Sequence, residues 1–493
     1  MRTAARLPLS TWTLAALLSA AAPAGAAVFA VQTLLDAPDT AAGDGLCASP
    51  LAGAPCTLRA AVQEANALAG PDRIELPAGT LLLSVTGTGE NLAATGDLDL
   101  LDELEIAGAG ESLTIVDGGA LDRVLDLRPT AAALALRLRH LTVRGGLTSG
   151  SSEPGGCLRN AASGTVDLYR VTFTDCRSTS GGAIVNAGAV RGVEVTFAAN
   201  MGPPGDEDRP EGGAILNDGP GSSIDLRRAA FTGNRGGNGG ALHSIGSFST
   251  TPRATVHIED SSFTGNQALQ IGGAVIGNSS TDFTFVNCTF SGNSAGLGGA
   301  IGNDGGCFFA LHQCTITGNS AGIGGGIGEV HFDPGFIELR NTILAGNSAS
   351  NIGPDCHFRL HSDGGSLIGD LSGCEATLTA SDLTGIDPLL DALVAPDPLD
   401  RFRAHPLLAG SPALDSGDPL WCAAHDQRGL SRPQDGDSDG TAICDRGAIE
   451  MAPTLRFHDG FEDGTSSRWS TTEPQGTLAL RHADAVALSK PSV

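Results

Sequence analysis

The run Asp435-Gly436-Asp437-Ser438-Asp439-Gly440 puts carboxylates at its first, third and fifth positions and glycine at its sixth. Alternate side chains of such a loop converge on one hard cation, so the spacing fits calcium. The twelfth position is Arg446 in place of a bidentate glutamate, so Asp445, Glu450 or water must complete the set of Asp435, Asp437 and Asp439. The competing reading is a solvated acidic turn pinned by a bridge between Cys422 and Cys444.

A second chemistry would be elimination on an acidic polysaccharide, which needs a base and cations to hold an enolate-like charge. Arg137, Arg139, His140 and Arg144 form the basic cluster. Strand alternation assigns Arg137, Arg139 and Leu141 to one face and Leu136, Leu138 and His140 to the other, so these read as exposed strand charges. Hydrolysis needs two facing carboxylates. Asp97, Asp99, Asp102, Glu103 and Glu105, or Asp206-Glu207-Asp208, offer several, but among 55 acidic residues no pair stands out. Gly-x-Ser-x-Gly, P-loop and His-Glu-x-x-His motifs do not occur. His243, His257, His312 and His331 fall at unlike positions and read as surface residues, so no catalytic residue is assigned.

The elements that would position such groups are repeats. Gly-Gly-small recurs at Gly155, Gly181, Gly212, Gly239, Gly272, Gly298 and Gly324. Phrases like Phe-Thr-Gly-Asn end at Cys176, Asn200, Asn234, Asn266, Asn293, Asn319 and Asn347. The mean period of about 28 residues lies in the range of solenoids. Short runs between the phrases, such as Thr255 to Ile258 and Thr281 to Val286, alternate in polarity and read as strands. One such unit cannot bury its apolar face, but stacked units can.

The fold expected is therefore all-β, a right-handed parallel β-helix of about ten coils. Phe173, Phe197, Phe231, Phe263, Phe290, Ile316 and Leu344 form its apolar column. Asn200, Asn234, Asn266, Asn293, Asn319 and Asn347 form a structural ladder, with a second asparagine column at Asn160, Asn186, Asn217 and Asn303. Thr57 to Asn66 has a helical apolar period, with Thr57 as N-cap, and is expected to plug the open end.

Arg2, Arg6 and the apolar run Leu14 to Leu18, followed by small residues to Ala26, read as a secretory signal, with no membrane-spanning segment after it. Eleven cysteines fit an oxidising compartment. Close spacing pairs Cys47 with Cys56, Cys356 with Cys374 and Cys422 with Cys444, and more weakly Cys157 with Cys176; Cys288, Cys307 and Cys314 remain. A net charge of -26 argues against nucleic-acid partners. The expected division is signal 1–26, N-terminal cap 27–73, β-helix 74–370, disulfide-bonded C-terminal cap 371–450, and attachment tail 451–493.

Cys56-Thr57-Leu58-Arg59-Ala60-Ala61, with Pro71 to Thr80, resembles the CSLREA domain of exported bacterial proteins, with two of the six signature positions differing. Asp387-Pro388-Leu389-Leu390 through Asp415, Asp426-Gln427-Arg428-Gly429, and Cys444 to Glu450 resemble the choice-of-anchor module. His458 to Gly464, with Trp469, is similar to tail motifs of exported bacterial proteins. The paired glycine and asparagine phrases are similar to those of chlamydial polymorphic outer-membrane proteins, which are surface adhesins on a β-helix. In those proteins a membrane barrel follows the repeats, whereas here about 40 polar residues follow Glu450, too few for paired spanning strands. The resemblance implies a secreted or surface-exposed bacterial scaffold that binds glycans or cell-surface proteins. The alternative is a secreted carbohydrate-active enzyme, a lyase or hydrolase acting on an acidic polysaccharide.

Overall fold

A computed structural model describes residues 26–129, 133–148, 154–206, 210–247, 251–330, 335–395 and 402–453. The expected signal sequence up to residue 25, Glu207, Asp208, His331 and the tail from 454 lie outside the described residues.

Each repeat makes one circuit, clearly seen in the coil opened by Gly298-Gly299-Ala300. A back strand, Ile301–Asp304, leads to a broad strand, Phe308–His312. Gln313, at φ 50°, makes a left-handed corner into a short strand, Thr315–Thr317. The chain turns at Asn319 and runs along an outer fin, Ser320–Ile323, to the next glycine pair. Every strand type pairs in parallel with its counterpart one coil on: Ile301 with Ile327, Phe309 with Ile337, Ile316 with Leu344. The chain is a parallel β-helix, and its pairings extend from Val28 against Arg73 to Leu367 against Leu383.

The apolar column forms as the repeats require. Phe173, Phe197, Phe231, Phe263 and Phe290 are fully buried, with successive ring centroids 5.4, 4.9, 4.5 and 4.6 Å apart and planes nearly parallel. Each such ring contributes about 2–3 kcal/mol of burial. Beside it runs the asparagine ladder. Asn200, Asn234, Asn266, Asn293 and Asn319 each donate Nδ2 to the next coil's Oδ1 at 2.8–2.9 Å. Each also donates to the carbonyl of a core residue one coil back, as Asn266 does to Phe231 at 3.0 Å. The ladder thus satisfies a buried polar column completely.

The second asparagine column is shorter than the sequence implies. Asn160, Asn186 and Asn217 are linked at 2.7 Å, and Ser244 ends the run. Asn303 shares the register but is separated from it by Gly277, whose missing side chain leaves room for Phe283 and Phe309.

The glycine pairs are the necks at which the fin folds back over the back sheet. A Cβ on Gly299 would lie 2.1 Å from the Gly325 carbonyl, and one on Gly328 would lie 2.8 Å from Leu297 of the fin.

At the N-terminal end, helix α1 (Leu58–Ala67) is capped by Thr57, whose hydroxyl accepts from Ala60 N at 3.0 Å. Its polar residues all serve backbone. Arg59 is fully buried, pairs with Asp36 at 2.8 Å and donates to the carbonyls of Ala93, Gly96 and Asp97. Glu64 accepts from Gly43 and Gly45, and Asn66 clamps Asp99 and Leu101.

Bridges join Cys47–Cys56, Cys157–Cys176, Cys356–Cys374 and Cys422–Cys444, while Cys288, Cys307 and Cys314 are buried thiols. The C-terminal module lies along the flank of the final coils and is held by their corner residues. Asn287 donates to the His425 carbonyl, Gln313 accepts from Ala423 N, and Asn341 bonds Asp418 in both directions. Gln427 and Arg446 extend this seam from Ser261 to Ser366. Among the described residues no helix is long and apolar enough to cross a membrane.

Candidate functional site

The left-handed corner fixes what the broad sheet shows to solvent. It falls three residues before each core Phe: Arg170, Glu194, Arg228, Asp260 and Asn287 all have positive φ, as does His140 before Val143. This corrects the simple alternation expected around His140. The corner shifts the phase, so Leu141 is buried with Leu136 and Leu138, while Arg139 and His140 both remain partly exposed.

Six residues before each column position lies an outward side chain, and these form one row: Arg137, Asp167, Arg191, Asp225, His257, Thr284, Ala310 and Glu338. Glu105 and Arg73 extend it toward the N-terminus. Charges alternate in sign along this row. In-register neighbours are about 4.8 Å apart, where like charges repel and opposite ones pair. Arg73 and Arg139 both bind Glu105, Arg144 binds Asp117 at 2.8 Å, and Arg137 lies 3.8 Å from Asp167. The three arginines of the basic cluster are therefore each matched with a carboxylate.

The row changes character at its C-terminal end. Phe308 and Phe336 stack at 5.8 Å on the outside of the broad sheet, Phe336 is 43% exposed, and His361 lies 5.3 Å from it. Beside them Arg340 contacts Glu338 at 2.6 Å and Asp363 at 2.8 Å. His361 Nε2 lies 3.0 Å from the other Asp363 oxygen, and His312 Nε2 lies 3.7 Å from Glu338. Trp421, from the module, covers the Arg340 guanidinium at 3.9 Å and donates Nε1 to the Asp363 carbonyl at 3.2 Å. A cleft of about 110 Å³ opens between Phe336, Arg359, His361 and Glu375.

Electrostatics separates these groups. Burial lifts Glu338 above its ordinary value, against the pull of Arg340. Although burial acts to raise Asp363 too, hydrogen bonds from Arg340 and His361 hold it below its ordinary value. Burial, with Arg340 nearby, pushes His312 down to about 4, so its imidazole is neutral at pH 7. None of these residues was singled out as a site from sequence. They come from three coils of unequal length, and only the corner register aligns them.

The acidic loop expected to bind calcium is partly assembled. Asp435 and Asp437 come together with Asp415, which the spacing did not suggest, each offering an oxygen within 4.8 Å of the others. Asp439 is exposed and accepts from Thr441 N at 2.7 Å. Asp445 faces inward, accepting from Asp415 N and Met451 N. Burial and nearby Glu450 push it up to about 7. Glu450 is itself buried and paired with Arg432 at 3.2 Å.

Asp97 and Asp99 meet Asp126 in a buried cluster. Arg123 Nη1 sits 3.0 Å from both Asp97 and Asp126, and Arg159 binds Asp126 at 2.8 Å. Arg123 is thus shared by two of the three carboxyls, and the group reads as a buried arginine–carboxyl network that secures the cap.

The Chlamydia polymorphic membrane protein repeat matches residues 287–304, which hold the Asn287 corner, core Phe290, ladder Asn293 and one glycine neck. No curated protein matches the sequence. Among solved structures the chain is similar to pectate lyase Pel9A, at 15% identity and a TM-score of 0.44, over 86% of this chain and 96% of that one. It is also similar to the A-module of the Azotobacter vinelandii mannuronan C-5 epimerase AlgE4, at 13% identity and a TM-score of 0.32, over 71% of this chain and 96% of that one.

Proposed function

We propose that this chain is an exported, surface-presented β-helix that binds glycans through the outer face of its last coils. The observation that carries this reading is the Phe308–Phe336 stack lying open beside the Glu338–Arg340–Asp363 knot. An apolar surface next to fixed hydrogen-bonding groups suits a sugar ring, which has a C–H face and a hydroxyl rim. The match to a repeat of polymorphic membrane proteins supports a repeat scaffold at the surface. The signal at 1–26 supplies the route out, and the segment from 451 supplies the attachment. The Asp415, Asp435 and Asp437 group takes calcium and stiffens the module.

A carbohydrate-active enzyme is the second reading, favoured by the opposite shifts of Glu338 and Asp363, which resemble an acid paired with a base. Against it, one Arg340 nitrogen contacts both carboxylates and occupies the space a glycosidic oxygen or attacking water would need. The deciding experiment applies the purified protein to an immobilised glycan array and incubates it with a polyuronide and neutral-glycan panel. Retention without new reducing ends or unsaturated products supports binding. Turnover removed by Glu338→Gln establishes the enzyme instead.

A further inference from the structure

We propose that the ligand of the Phe336 face is a neutral saccharide chain with free vicinal hydroxyls, not a polyuronide. This rests on the reading of that face as a glycan-binding surface and narrows it to one class of sugar.

The hydrogen-bonding capacity left on the face is mainly that of acceptors. Asp363 is held in its charged form by Arg340 and His361 with its side chain 26% exposed, beside the more deeply buried Glu338. Adjacent sugar hydroxyls donate to such carboxyl oxygens at short range. The cation beside them is already committed. Arg340 is divided between the two carboxylates at 2.6 and 2.8 Å, and its outer surface is covered by Trp421 at 3.9 Å. A uronate placed there would bring a further carboxylate to two existing ones that already share Arg340. His312, the third basic group, is neutral at pH 7.

Arg359 borders the cleft, but its in-register neighbour is Glu375, which continues the alternation of charge. The wider field points the same way: the chain carries a net charge of -26, and polyanions are repelled by it at long range. What remains for a sugar is the exposed Phe336 ring, the Phe308 ring stacked on it, and a small cleft next to His361. These suit the C–H face of an unsubstituted pyranose, which loses no charge hydration on burial.

Calorimetric titration of the full chain with cellohexaose, xylohexaose and mannohexaose, against hexagalacturonate and hexaguluronate, tests this. At least one neutral hexasaccharide binds, and its affinity is insensitive to added salt. Phe336→Ala weakens it about tenfold or more. Because Phe336 is exposed, that variant keeps the wild-type melting temperature. Glu338→Gln weakens it too, since a neutral amide accepts less strongly than a carboxylate. Tighter binding of either uronate, lost at high salt, overturns this proposal and leaves the glycan-binding reading standing. Failure of all five sugars overturns both.

Discussion

Asn347 donates its Nδ2 to Asp355 Oδ1 across 2.9 Å, and that carboxylate closes the hydrogen-bonded column that Cys176 begins by donating its backbone N–H to Asn200. Every amide in the column points the same way, so it must end on a group that only accepts. Asp355 does so, receiving the Asn347 backbone N–H as well, while its other oxygen accepts from Asp370 N. Burial raises the Asp355 pKa, although these hydrogen bonds pull it down. The column ties successive coils together along the same axis as the strand pairings, but through side chains at the turns.

Removing one rung leaves several buried groups unpaired. Asn266→Ala strips an acceptor from Asn234 and donors from Phe231 O and Asn293 Oδ1. It is expected to cost about 3 kcal/mol in a denaturant titration. Asn351→Ala, on the exposed fin, is expected to change stability by no more than about 0.5 kcal/mol. Equal effects of the two would remove the ladder from the account of stability.

The N-terminal cap depends on one buried arginine. Arg59→Leu leaves Asp36, whose side chain is 3% exposed, without its partner. The loss is expected to be about 3–5 kcal/mol, read from the midpoint of chemical unfolding. Asp36→Asn, which keeps an oxygen for Arg59, is expected to cost less.

Stability should fall as pH rises from acid toward alkaline. Burial, opposed by Arg123, pushes Asp97 up to about 8, and burial with Asp126 nearby pushes Asp99 up to about 6. Folded values above the ordinary 3.8 of an aspartate mean that the native state holds these protons more tightly. The stabilisation is complete below the unfolded value and is lost as pH passes first through about 6 and then through about 8. Melting curves between mild acid and mild alkali show the decline, and Asp97→Asn flattens its upper part. A midpoint that climbs across that upper range contradicts the assignment.

Calcium is expected to raise the melting temperature through Asp415, Asp435 and Asp437. At a hundred times its Kd a bound ion contributes about 2.7 kcal/mol. Chelation reverses the gain, and Asp435→Asn abolishes it. Asp439→Asn, on an exposed carboxylate outside the group, leaves most of it intact. A gain unaffected by Asp435→Asn places any calcium site elsewhere.

The stacked core and the asparagine ladder were legible because both repeat: Phe231, Phe263 and Phe290 each precede a ladder asparagine by three residues. The outer face was not. His312, Arg340 and Asp363 share one edge of it, but the intervals between them differ because the connecting turns differ in length. The signal was nonetheless present: counting back from each core position to the corner at three and the row at six would have collected Arg137, Asp167, Arg191 and Glu338 into one line. Asp415 escaped for a different reason, since it reaches the acidic loop from a turn distant in sequence.

The most direct test of the glycan-binding face uses Trp421, which touches Arg340 and is the only tryptophan left in a Trp12→Phe, Trp469→Phe protein. Titrating that protein with a saccharide it binds should change Trp421 emission saturably, with the calorimetric affinity, and Phe336→Ala should remove the change. Binding that leaves Trp421 emission flat and survives Phe336→Ala would show that the ligand sits elsewhere on the solenoid.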